Sequence, residues 1–470
     1  MPAGAGGRLG RLIARAAAPL FVFGVLVVGF AAGFAAKETG WPPVVPHGRV
    51  AAANLWNQLT SRATEIVGPS DIPATSAQAS RLKTLIPNSN TETLWFLGGP
   101  YRFLDYCPTY GCLAIELDRT GKLVSSIPNR PSEFEKPPML ALKYDEMLFR
   151  AKTDIIPKGM WPIPGGGGDF VMSMQFRGAF PYGGGVARMR RDGTVVWYRR
   201  DHTHHWQYVS DREIATVSMK ARRAPVVLKF DLAEPQVIAC TEVMSEDIIR
   251  ILDFNGKQTD EFSVLDALIA SPYRGHLIAT LSPCDITHLN FIAPVGAALA
   301  ADLPGVAADD FLISMRNLSA FAVIGRRSHA IERFYTGGFS AQHDVMAGPN
   351  GKVLMFDNLG GGPEGGPSRV LEFDPRTGNE KTVFPTPQTQ IKPGFAFQQG
   401  YIDVSKDGKR ALVSYSTIGR AYEIELDTGV VITSFDNLND FRGARGYFKG
   451  DNSKAVRATL SQAFYGHAGD

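Results

Sequence analysis

The chain reads as an all-β protein, a six-bladed β-propeller preceded by an N-terminal transmembrane helix and a short stalk. Three observations predict this. A strand–turn–strand unit recurs six times between residues 113 and 435. An uncharged apolar run of 21 residues, Ala16 to Ala36, lies near the amino terminus. Glycine supplies 49 of the 470 residues, while charged residues make up only 20%. That composition suits many short strands joined by tight turns and excludes a disordered chain.

The amino-terminal elements come first. Arg8, Arg11 and Arg15 precede the apolar run, and Lys37 and Glu38 follow it. About 20 apolar residues cross a hydrocarbon layer of ~30 Å as a helix, and arginines ahead of the run place residues 1–15 in the cytoplasm. A cleaved signal peptide has a shorter apolar region, ~7–15 residues. Residues 16–36 therefore predict a retained signal-anchor, with the remainder on the periplasmic, extracytoplasmic side. Residues 37–91 are rich in Pro, Ser, Thr and Ala, with one plausible helix over 51–66, and predict a stalk. Residues 92–470 predict the propeller.

Four cysteines bear on the compartment. Cys107 and Cys112 enclose a short loop and can bridge where the environment is oxidising. Cys240 and Cys284 are isolated in sequence, and the paired spacing of structural zinc ligands is absent. The net charge is +3 without a long basic run, which leaves no footprint for a nucleic acid.

The repeat has six copies: residues 113–127, 187–198, 249–262, 321–334, 370–384 and 422–435. Gly121, Gly193, Gly256, Gly378 and Gly429 mark five of the turns, and His329 takes that place in the fourth copy. Asp-Gly, Asn-Gly and Thr-Gly provide the positive φ that tight hairpins need. The turns fall about 50 to 73 residues apart, room for a four-stranded blade with its loops. A ring of six blades would remove exposed sheet edges. The glycine runs at 165–168, 183–185 and 360–362 resemble phosphate loops but none continues into Gly-Lys-Ser/Thr at a helix start. They read as wide turns, and no cofactor is expected. The acidic pairs Glu246-Asp247 and Asp309-Asp310 read as solvated loop charges.

Several of the nine histidines keep distinctive company. His204 and His205 lie in DHTHHWQ, His288 in CDITHLN, and His343 in FSAQHDVMAGPNGKVLMFDN. Arg316 lies in LISMRNLSAFAVI, which otherwise reads as a strand. These groups fall at similar places in three successive units, just before or within an inner strand, where propeller loops converge on the central channel. Arginine grips an oxyanion in bidentate fashion and keeps its charge. Imidazole serves as nucleophile, proton carrier or donor near neutrality. Together they can hold a sulfuryl or phosphoryl group, attack it and protonate the leaving oxygen. Several histidines also suit a metal site, and a non-catalytic binding propeller is a third reading.

The segments QHDVMAGPNGKVLMFDN, SRVLEFD (368–374), DITHLN followed by ADLPGVAADDFLISMRNLSAFAVI, and GRAYEI (419–424) resemble the bacterial arylsulfotransferases that use no phosphosulfate nucleotide. The resemblance covers roughly residues 180–440, and weakly from Glu92. It implies a six-bladed propeller that moves a sulfuryl group from an aryl sulfate to a phenolic acceptor through a covalent sulfohistidine. It further implies His343 as nucleophile, Arg316 as the holder of the sulfuryl oxygens, His288 as a second active-site histidine, and His204 or His205 as another. Side chains alternate along a strand, so only one of that pair is expected in the pocket, and Asp344 is expected to point away from His343. Trp206, Phe339, Phe395 and Phe397 are candidate walls of an aryl pocket. Enterobacterial-type members dimerise through a small amino-terminal β domain that the stalk does not resemble, so the oligomeric state stays open.

Overall fold

A computed structural model of the chain describes residues 66–73, 82–98, 107, 111–135, 140–141, 155–176, 184–230, 235–240, 243–360, 366–439, 454–458 and 460–466. Six sheets, each built on four antiparallel strands, make the blades of a β-propeller. Blade 2 runs outward through Ile155–Pro162, Phe170–Phe176, Gly185–Met189 and Val195–Arg200, and blade 3 through Gln207–Val209, Ile214–Arg222, Met244–Leu252 and Gln258–Ser263. Blade 4 comprises Leu289–Pro294, Phe311–Met315, Ala320–Ile324 and Ile331–Thr336. Blade 5 comprises His343–Ala347, Val353–Asp357, Arg369–Phe373 and Glu380–Phe384, and blade 6 Tyr401–Val404, Arg410–Tyr415, Arg420–Glu425 and Val431–Asp436. Blade 1 takes Thr93–Leu97, Cys112–Leu117 and Leu123–Pro128 from the front of the chain and its innermost strand, Gln462–Gly466, from the back.

Each sequence repeat is the outer hairpin of one blade, six for six. The turn chemistry explains why these hairpins show in the sequence. Gly121, Gly193, Gly256, Gly378 and Gly429 have φ between 71° and 85°, and His329 adopts 53° in the equivalent place. The innermost strands touch one another in sequence around a closed cycle that ends where it began.

One buried side chain crosses every junction between blades. Gln207 donates to the Val171 carbonyl, Asp247 accepts from Leu289 N–H, and Asn290 donates to the Gln342 carbonyl. Asp344 accepts from Ile402 N–H and Asp403 from Tyr465 N–H, and Gln462 both donates to and accepts from the backbone of Met160. The apolar filling lies between blades, where a cluster of Phe311, Ile313, Leu289, Trp206 and Tyr401 is continuous with neighbours on both sides. Burial of such surface, at about 25 cal/mol per Å², drives the packing, and the junction hydrogen bonds fix its register.

Several sequence expectations need correction. Part of the predicted stalk is strand: Ile66–Pro73 pairs with Lys454–Ala458, and Leu82–Thr84 adds a fifth strand to the edge of blade 6. Ile66, read as the end of a helix, opens the first of these strands. Asp247 and Asp310 are not solvated: both are buried, Asp247 within a nine-residue strand whose every residue is buried. Cys107 and Cys112 are bridged, and so are Cys240 and Cys284, which looked isolated because 44 residues separate them. The run Gly165–Gly168 forms the turn between the first two strands of blade 2. Among the described residues no helix is long and apolar enough to cross a membrane. The segments 1–15 and 16–36 and much of 37–91 lie outside the described residues.

Candidate active site

The innermost strands of blades 3, 4 and 5 all begin at one end of the ring, and each brings a histidine there. His204 and His205 precede Gln207, His288 precedes Leu289, and His343 opens its strand. The second strand of a blade runs antiparallel to the first, so its last residues lie beside the first strand's start. Met315 faces Leu289 and Phe356 faces His343. Arg316 follows Met315 directly and Asn358 comes two residues after Phe356, which is why they join the histidines.

The imidazoles form one cluster. Ring centroids lie 4.8 Å apart for His204 and His205, 5.1 Å for His205 and His288, 5.9 Å for His205 and His343, and 6.3 Å for His204 and His288. Both members of the adjacent pair take part, contrary to strand alternation. His205 has φ 57° and is not in a strand, so the period-two rule does not act on it. Asp344 does leave the cluster, making the blade junction described above.

Hydrogen bonds fix which nitrogen of His343 carries its proton. Asn358 Nδ2 donates to the carbonyls of Ala396 and Gln399, 2.7 Å each, so its Oδ1 must be the atom facing His343. His343 Nδ1–H donates to that oxygen at 2.7 Å. Nε2 therefore carries no proton and accepts from Gln399 N–H, which approaches to 3.3 Å. Gly400 permits the approach: its φ is 143°, and a Cβ there would stand 2.2 Å from the Phe356 ring. Burial, with the nearby positive charge of Arg316, pushes the His343 pKa down to about 3. The ring is thus neutral with an unprotonated Nε2 at any ordinary pH.

His288 is held the other way. Burial disfavours its charge, but the Asp285 carboxylate, 2.5 Å from Nδ1, outweighs this and raises its pKa. The Arg316 turn is tied to the same loop: Arg316 N–H donates to the His288 carbonyl, and Asn317 Nδ2 to that of Asp285. The Cys240–Cys284 disulfide anchors this loop one residue before Asp285. The Arg316 guanidinium lies 5.8 Å from the Phe397 ring centroid.

Of the proposed aryl walls, Phe395 and Phe397 are about half exposed, 45% and 50%. The other two belong to the packing. Trp206 is buried against Phe291 and Tyr401, with Gly159 leaving room for its ring, and Phe339 is buried against Phe321 and Phe373. The sequence reading missed Asp285, Asn358 and Asp247. Asp285 and Asn358 do stand inside the quoted motifs, in DITHLN and at the end of VLMFDN, but spacing alone does not reveal a hydrogen-bond partner. Among the described residues no three His, Cys, Asp or Glu side chains are grouped as a metal ion requires. The imidazole nitrogens facing Asp247, Asp285 and Asn358 are engaged in hydrogen bonds instead.

A family model described as arylsulfotransferase (ASST) matches residues 166–437. No curated protein matches the sequence. Among solved structures the chain is similar to a Bacteroides caccae protein of unknown function, at 10% identity over 80% of this chain and 99% of that one, TM-score 0.41. It is also similar to hydrazine synthase of Kuenenia stuttgartiensis, at 9% identity over 74% and 80%, TM-score 0.36. A third is a catalytically inactive virginiamycin B lyase of Staphylococcus aureus with quinupristin, at 11% identity over 65% and 96%, TM-score 0.32. Likenesses this distant carry no argument about activity.

Proposed function

Because the chain belongs to the arylsulfotransferase family, we propose that it moves a sulfuryl group from an aryl sulfate ester to a phenolic acceptor in two steps through His343. The observation that carries this reading is the unprotonated Nε2 of a neutral, buried His343 near the Arg316 charge. In the first step Nε2 attacks the donor's sulfur in line, the S–N bond forms, and the S–O bond to the aryl group breaks. Arg316 stabilises the charge on the sulfuryl oxygens, a preorganised role worth most where water is excluded. His288, protonated by its pairing with Asp285, gives its proton to the departing aryl oxygen. In the second step the acceptor oxygen attacks the same sulfur and Nε2 leaves. The exposed rings of Phe395 and Phe397 are suited to flank an aryl group at the mouth. Residues 16–36 would hold the enzyme to a membrane with the propeller on the periplasmic side, a compartment that the two disulfides favour.

The test is direct. The full chain in detergent, given p-nitrophenyl sulfate, should release nitrophenolate far faster when a phenol is added. Intact-mass analysis after donor alone should show one added sulfuryl group. Release that ignores the acceptor, with no adduct under any quench, overturns the reading.

Two substitutions probe separate parts of it. Arg316→Lys is expected to lower kcat by about 10²–10³, because an ammonium cannot grip two oxygens in the guanidinium's fork. Activity within about 3-fold of the parent would remove Arg316 from the sulfuryl group. Asn358→Asp puts a carboxylate on His343 Nδ1 and raises that imidazole's pKa by about 1–3 units. His343 must be neutral to attack, so activity is lost as pH falls through its folded pKa. The variant's acid limb should therefore appear higher, near pH 5, where the parent still turns over; coincident limbs in a rate–pH profile would refute the contact's role.

A further inference from the structure

We propose that His205 is the base that takes the acceptor's proton, with His204 and Asp247 as the residues that position it for that work. The proposal rests on the sulfuryl-transfer reading above and divides its proton handling between two histidines. Asp247 supplies the starting point. It is fully buried, and its Oδ2 accepts from Leu289 N–H at 2.6 Å and Thr287 Oγ1–H at 2.5 Å. Its Oδ1 lies 3.2 Å from His204 Nε2. A carboxylate oxygen can only accept here, so Nε2 of His204 carries the hydrogen, and in the neutral ring Nδ1 carries the lone pair.

His204 Nδ1 meets His205 Nδ1 at 2.5 Å. Two bare nitrogens would repel, so the hydrogen between them belongs to His205. It follows that His205 Nε2 is the bare atom. The orientation of one buried carboxylate is in this way transmitted through two rings to a lone pair beside His343 and His288.

The surroundings keep that lone pair available. Burial and the neighbouring His204, together with His288, His343 and Lys158 of the innermost strand of blade 2, push the His205 pKa well below its ordinary value. His288, by contrast, faces Asp285, with Asp247 also favouring its charge and Arg316 opposing it. Two imidazoles with centroids 5.1 Å apart are thus driven in opposite directions, the pattern that separates an acid from a base.

The cycle balances. In the donor step His288 loses its proton to the aryl oxygen. In the acceptor step the phenol's O–H bond breaks, the proton goes to His205 Nε2, and the oxygen attacks sulfur. The S–N bond breaks, and its electron pair returns to His343 Nε2. While His205 is cationic, the Asp247 carboxylate stabilises its charge through His204, as an orienting carboxylate does. The proton then passes to neutral His288, and no net proton is gained or lost.

The experiment compares acceptors in full-length His204→Gln, His205→Gln and Asp247→Asn chains loaded with sulfuryl from p-nitrophenyl sulfate. Phenol, with a pKa of about 10, needs a base at neutral pH, whereas a polyfluorinated phenol is already ionised. The variants are expected to slow transfer to phenol about 10²-fold more than transfer to the ionised acceptor. Asp247 also joins two blades, so a merely structural role predicts equal slowing with both acceptors, and that result overturns the proposal. Should Asp247→Asn fail to fold, the two histidine variants decide the matter alone. A parent chain that shows no loading by the donor overturns the sulfuryl-transfer reading itself, a result separable from equal slowing in a parent that loads.

Discussion

His343→Ala is expected to abolish acceptor-dependent sulfuryl transfer, lowering kcat by at least about 10³-fold, and to leave no protein-bound sulfuryl group. The magnitude follows from what the side chain supplies. His204 and His288 are poorly placed to substitute, because His204 Nδ1 faces His205 and His288 Nδ1 is bonded to Asp285, and His205 Nε2 is the atom assigned to the acceptor's proton. The fold should tolerate the change, since His343 is held by a side-chain bond to Asn358 rather than by a core contact, and the variant should melt within a few degrees of the parent. Nitrophenolate release that persists at the parent's rate would assign the attack to another group. A single-turnover burst of nitrophenolate with an adduct that then persists in the presence of phenol would show His343 acting in the second step alone.

Deleting the chain from Gln462 onward should cost most of the folded state's stability. The lost strand is the innermost of blade 1, paired along Thr93–Leu97 and tied by Gln462 to Met160 in blade 2 and through Tyr465 to Asp403 in blade 6. Phe464 and Tyr465 are buried, at 7% and 1% exposure. Losing one such aromatic costs about 3–5 kcal/mol, and two are lost here, set against a whole-domain stability of about 5–15 kcal/mol. The truncated chain is expected to lose its cooperative thermal transition or to melt more than about 10 °C lower. Gln462→Leu, which keeps the strand and removes one junction, should cost only about 1–2 kcal/mol. A truncated chain that melts with the parent would mean that the ring does not depend on this closure.

What the sequence disclosed and what it hid divide along distance. The outer hairpins were legible because each is local: two strands and a turn whose glycine or His329 adopts positive φ. The closure was not, because Gln462 meets Met160 across 302 residues. The site histidines and Arg316 stood out as residue types in motifs. Their partners did not, since Asp247 reads as one half of an acidic pair until a strand carries it beneath His204. The strand Met244–Leu252 holds three ionisable residues with every position buried. Arg250 answers Asp201, just past the end of blade 2, and Glu261 of the next strand, and Asp247 answers His204. Polarity misled there because neutralisation came from elsewhere in the chain.

His202, His205, His288, Ala341, Asp344 and Gln399 share one trait: each has φ between 47° and 58° without being glycine. Such backbone costs about 1–3 kcal/mol per residue, and these positions gather where the inner strands begin. The end that carries the histidine cluster is therefore the least comfortable part of the ring, held in shape by the rest. Selection for heat resistance alone would drift toward glycine and asparagine at these positions and erase the cluster. Improved thermostability with activity intact must instead be sought on the far side of the blades, in the outer hairpins and their turns.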